Sequence, residues 1–187
     1  PDLVDKVSAE ISAALAFYHN RNVFSDLPVF EKVFGHLKKR IFICDSVNEI
    51  FNAIFSEEDD TGVLKILVLG SEEYIFDSVN HPWKNCILVG ARENRSVSMK
   101  SDNNIDLLKC MITNLSFSFN ESQLHCLPGS FVKLLDCNFT TNYKTVELAA
   151  VKTEGELSAE QCSFTGSYNG LFSDESGKAH VIDCSIF

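Results

Sequence analysis

Apolar residues in the second half of the chain recur in short alternating runs. Each run is anchored on a cysteine that follows a polar residue: Asn85-Cys86, Lys109-Cys110, Asp136-Cys137, Gln161-Cys162 and Asp183-Cys184. Successive anchors lie 24, 27, 25 and 22 residues apart. Two residues after them stand Leu88, Ile112, Phe139, Phe164 and Ile186, and three before them Trp83, Leu107, Leu134, Ala159 and Val181. A period of two marks a strand with one buried face, and self-similarity at about 20 to 30 residues marks a stacked solenoid. The linking stretches are rich in Ser, Thr, Asn and Gly, with turn pairs at Pro128-Gly129, Glu154-Gly155 and Ser176-Gly177. They carry neither helical periodicity nor the frame of a leucine-rich repeat. The pattern predicts a mainly β chain wound as a parallel β-helix, rising about 4.8 Å per coil. Equal phase in every copy puts Cys86, Cys110, Cys137, Cys162 and Cys184 in one internal column.

The first part reads differently. Leu3, Val7, Ile11, Leu15 and Tyr18 fall on one face of a helix over residues 2–19, capped by Asp2 and ended by Asn20-Arg21-Asn22. A second helix follows Asp26, with Pro28 in its first turn, an apolar face of Val29, Phe30, Val33, Phe34 and Leu37, and a basic end at Lys38-Lys39-Arg40. Then come a strand at Ile41–Cys44, a capping box at Ser46-Val47-Asn48-Glu49 opening a helix to about Phe55, an acidic loop at Glu57–Asp60, and strands at Lys65–Leu69 and Glu73–Phe76. Residues 1–40 are thus expected to form a helical cap of two or three helices, and residues 41–187 the β-helix.

Composition narrows the function classes. The 16 basic and 26 acidic residues leave a net charge of -10, which disfavours a nucleic-acid backbone as partner. No apolar run approaches the length of a helical membrane span. The seven cysteines include no Cys-x-x-Cys pair, and an odd number argues against a disulfide framework. Small, fairly apolar thiols suit a buried column in a reducing compartment. Against this, Asn94, Asn114, Asn120 and Asn138 each open a glycosylation triplet.

The stretches Phe42–Ile54 (FICDSVNEIFNAI), Lys65–Gly70 (KILVLG), Glu73–Phe76 (EYIF), Cys86–Ala91 (CILVGA) and Cys110–Phe117 (CMITNLSF) together resemble the opening of right-handed β-helix proteins of the pectin-lyase-like superfold. Within that superfold the cysteine-rich coils are most similar to the non-enzymatic Nessun dorma / SHC-binding spindle-associated family. The resemblance implies a protein-interaction scaffold that works with the centralspindlin kinesin or its complex in cytokinesis. It also implies a cytoplasmic location at the spindle midzone, cleavage furrow or intercellular bridge.

Enzymes on such a fold need clustered acids on one outer face. Asp136 and Asp183 share a phase, but Gln161 separates them, and two coils amount to about 10 Å, too far for paired glycosidase carboxylates. His19, His36, His81, His125 and His180 hold no metal-ligand spacing, and His125 and His180 read as exposed strand residues. Nucleophile, phosphate-loop and dinucleotide motifs are missing as well. The expected chain is therefore non-enzymatic, without metal or cofactor. Phe17, Tyr18, Phe30 and Phe34 are its candidate partner-binding residues. The alternative is a carbohydrate-binding or carbohydrate-active protein using Tyr143 and Tyr168 as sugar platforms. Because the last copy of the repeat breaks off at Phe187, further coils or a second copy of the chain are expected to cover that end.

Overall fold

A computed structural model describes residues 3–24, 40–55, 64–93, 95–166 and 169–187. The second expected helix, with Phe30 and Phe34, and the acidic loop at residues 57–60 lie outside these residues, as does Tyr168. In chain order the elements are α1 (Leu3–Phe24), β1 (Ile41–Cys44), α2 (Val47–Phe55), β2 (Lys65–Leu69), β3 (Glu73–Phe76), β4 (Cys86–Gly90), β5 (Ser96–Met99), β6 (Ile105–Thr113), β7 (Ser116–Phe119) and β8 (Leu124–Leu135). There follow β9 (Asn138–Thr141), β10 (Ala149–Thr153), β11 (Glu156–Glu160), β12 (Ser163–Gly166), β13 (Asn169–Ser173), β14 (Lys178–Ile182) and β15 (Ser185–Ile186).

The strands form a parallel β-solenoid of about six turns. One wall runs β3-β5-β7-β9-β12-β15. The other begins β1-β2-β4-β6-β8 and then divides, since the first part of β8 pairs with β10 and its second part with β11. The split occurs at Leu127–Ser130, where β8 carries more residues than β6 opposite it and the ladder shifts register. Gly129 sits there at φ 74°, a backbone state that costs glycine little. The later coils are therefore three-sided.

Alternation explains the core. In β6, Ile105, Leu107, Cys110 and Ile112 are buried while Asp106 and Lys109 point outward. Inside the six-stranded wall, Phe117, Phe139 and Phe164 stack face to face, with centroids 5.1 and 4.9 Å apart and planes within 9° and 7°. Ile186 is the next rung of this ladder.

The cysteine anchors do not make a single column, which corrects the sequence reading. Cys86 stacks on Cys110, but the rung after Cys110 is Val132, followed by Leu157 and Ala179. Cys137, Cys162 and Cys184 form a second column at the corner leading into the six-stranded wall, in line with Leu115. Each of these corners is turned by a residue at positive φ: Asn114, Asp136, Gln161 and Asp183, at 51–56°. The side chains of Asn and Asp ease that conformation. The step from Cys110 to Cys137 is the longest of the series because it crosses from one column to the other.

The two described helices have separate tasks. α2 closes the first coil by placing Ile50, Ala53 and Ile54 in the same core as Leu67, Leu69 and Phe76. Ser46 Oγ accepts from the Glu49 N–H at 3.3 Å, and the Glu49 carboxylate accepts from the Asp45 N–H at 2.6 Å, a capping box displaced by one residue. The buried Lys65 Nζ donates to Ala53 O at 2.8 Å, a cation on the last turn of α2.

α1 does not cap the stack but lies against its flank. It continues past Asn20-Arg21-Asn22, the expected stop, to Phe24. Its Ala14, with Ile11, Leu15 and Tyr18, packs on Ile41, Ile66, Val68, Ile87 and Val89. These five come from β1, β2 and β4, strands that are consequently apolar on both faces. Glu10 meets Arg40 just before β1 at 3.1 Å, and Tyr18 lies against Gly70 just after β2. α1 therefore runs along the strand direction, centred over β2.

Candidate interaction surface

Beyond α1 the outward side chains can be read strand by strand from the register. On β6 they are Lys109, Met111 and Thr113; on β8, Phe131, Lys133 and Leu135; on β11, Glu156, Ser158 and Glu160. Phe131 is 64% exposed. It follows the bend at Pro128-Gly129, pairs across the ladder with Lys109 on one side and Glu156 on the other, and alternates with buried Val132. Burying its ring would gain roughly 2 kcal/mol, so its exposure in mid-sheet is a cost that packing within the described residues does not offset. Sequence reasoning missed it, because a single Phe in an alternating run looks like core.

The charged groups of the neighbouring faces are engaged across coils. Lys133 Nζ meets Glu160 at 3.0 Å, and Lys178 meets Glu156 at 3.5 Å. On the β6–β8–β10 face, His125 Nδ1 lies 3.0 Å from Asp106 Oδ1 and its Nε2 lies 3.0 Å from Glu154 Oε1. Lys152 Nζ donates to the same Glu154 oxygen at 2.6 Å. Lys152 first, and then His125, holds the Glu154 carboxyl below its ordinary range. Its contribution to stability is thus present above that range and lost as pH falls through the lowered value. His125 is not the exposed strand residue expected from alternation: its side chain is 17% exposed and clasps three successive coils. Nineteen and 29 residues separate it from its two partners, so only the register brings them together.

The remaining sequence candidates take structural places. Asp136 and Asp183 point outward, as expected, with Gln161 between them, each at a positive-φ corner. Tyr143 is not a sugar platform, which corrects that expectation. It is buried, its hydroxyl donates to Ser122 O at 2.8 Å and lies 3.0 Å from Ala149 O, and burial pushes its pKa up. Tyr18 is half-buried against the flank, edge-on to His19, and the side chain of Phe17 is outside the described set. Six of the seven thiols are buried in the core, and Cys184 is half-buried. Burial raises Cys44 and Cys126 to about 12, and the Cys86 and Cys110 sulfurs lie 3.6 Å apart as a thiol–thiol hydrogen bond, not a disulfide. Enclosed thiols held protonated by burial, as Cys44 and Cys126 are, make poor nucleophiles and poor ligands. Among the described residues no cluster of His, Cys, Asp and Glu could hold a metal ion, and no helix is long and apolar enough to cross a membrane.

No family model, no curated protein and no solved structure matches this chain.

Proposed function

We propose that the chain is a non-enzymatic scaffold for protein–protein interaction. The observation that supports this most is Phe131, an aromatic side chain held largely in solvent on a strand that cannot retract it. Binding hot spots favour large rigid side chains on preorganised backbones, because little entropy is then lost on association. Of the charged groups around Phe131, Lys133 is paired with Glu160 and Lys178 with Glu156 across coils, as solvated structural groups are.

In its most specific form, the resemblance of the cysteine-rich coils to the spindle-associated family makes the partner the centralspindlin kinesin or its complex. The site of action is then the midzone, furrow or intercellular bridge. The carbohydrate reading loses one of its two platforms with the burial of Tyr143. The test is a titration of the purified chain with purified centralspindlin, run beside a glycan array. Saturable binding to the protein complex, with no glycan retained, is the expected result. Selective glycan binding without a protein partner would overturn the proposal.

A further inference from the structure

Among the described residues, none lies over the flank beside α1 at Phe131, which is 64% exposed. α1 is centred over β2 and aligned with the strands, fixed by Glu10 at Arg40 and Tyr18 at Gly70. Helices packed side by side lie about 8–10 Å apart. Neighbouring strands lie about 4.8 Å apart, so a helix beside α1 falls two strands further on, over β6. Of the outward residues there, Met111 continues the apolar floor on which α1 rests, with Lys109 and Thr113 on either side of it along β6. Met111 already packs against the α1 cluster, and Leu135 is half-buried. Phe131 rises from the next strand at 64% exposure. One coil later the face becomes charged, at Glu156 and Glu160, which limits the floor to one helix width. Lys133 is neutralised by Glu160 at 3.0 Å, whereas Lys109 is exposed in the same cross-coil column as Phe131.

Resting on the scaffold reading, we propose that Met111, Phe131 and Leu135 form a docking slot for an amphipathic α-helix of a protein partner. That helix lies alongside α1, with Phe131 set into its apolar stripe and a carboxylate at the edge of the stripe against Lys109. The slot extends an interface the chain already uses to hold its own helix, so the floor needs no rearrangement to receive another.

The experiment uses two synthetic helical peptides with the same leucine stripe, one edged with Glu and one with Lys, titrated by fluorescence anisotropy against the whole chain. The Glu-edged peptide is expected to bind the native chain more tightly than the Lys-edged one. Phe131→Asp should weaken it at least thirtyfold, and Lys109→Glu should reverse the order of the two peptides. Phe131→Asp alters an exposed side chain, and an unchanged melting temperature confirms that the variant is folded. Equal affinity of the Glu-edged peptide for the native chain and Phe131→Asp, or no binding to either, overturns the slot. Centralspindlin that binds Phe131→Asp as well as the native chain removes the slot but leaves the scaffold reading in place.

Discussion

Phe139→Ala is expected to cost about 3–5 kcal/mol of folding stability, the range for truncating a buried aromatic. Phe139 is 1% exposed and stands between Phe117 and Phe164, at 5.1 and 4.9 Å with nearly parallel rings. Removing it opens a cavity in the middle of a ladder and deprives two rings of their stacking partner at once. Collapse into the cavity is resisted, because β7, β9 and β12 are fixed in register by backbone hydrogen bonds on both sides. Phe139→Leu keeps most of the volume and should lose clearly less. Urea unfolding of the three proteins, followed by far-UV circular dichroism, checks the order. Equal midpoints for native and Phe139→Ala would mean that the ring is not enclosed.

Gly90→Ala should be nearly as damaging for a single added methyl group. A Cβ on Gly90 would fall 1.9 Å from Asn114 O and 3.2 Å from Leu115 Cδ2. Asn114 turns the corner at φ 56°, which swings its carbonyl over Gly90, and its Nδ2 donates back to Gly90 O at 3.0 Å. The obstructing atom is backbone, so relief means shifting a whole coil against its neighbour. A loss at the upper end of about 1–3 kcal/mol is expected for such overpacking. Thermal unfolding of Gly90→Ala is the check, and an unchanged midpoint would contradict the close approach of these two coils.

These two positions also show what could be read from the residues alone. The strand phase was legible because a period of two admits one inside and one outside, and Phe139 and Phe164 stand where alternation puts them. The first coils and the α2 capping box were legible too, since Ser46 and Glu49 act locally. What misled was the thiol. Cysteine, valine, leucine and alanine fill an interior rung almost equally well, so Cys110 and Cys137 looked equivalent although they belong to different columns. The informative signal was the recurring triplet Ser116-Phe117-Ser118, Asn138-Phe139-Thr140 and Ser163-Phe164-Thr165, an inward ring between two outward polar groups. It marks the six-stranded wall and would have placed Cys137 at the corner before it. The α1 flank was less legible, because Ile66, Val68, Ile87 and Val89 face outward yet are buried. An apolar residue on the outer face signals a covering element only after the inner face is known. The His125 clasp and the slot at Phe131 depend wholly on register, which no local pattern carries.

Register between coils is accordingly the claim on which the fold, the clasp and the docking slot all rest, and it can be measured directly by paired cysteines. Met111 lies opposite Lys133, both pointing outward, whereas a single five-cysteine column would set Met111 opposite Asn138. Mild copper-phenanthroline oxidation of Met111→Cys/Lys133→Cys should give a cross-link found by peptide mapping, and Met111→Cys/Asn138→Cys should give none. A cross-link in the second pair and not in the first would contradict the account.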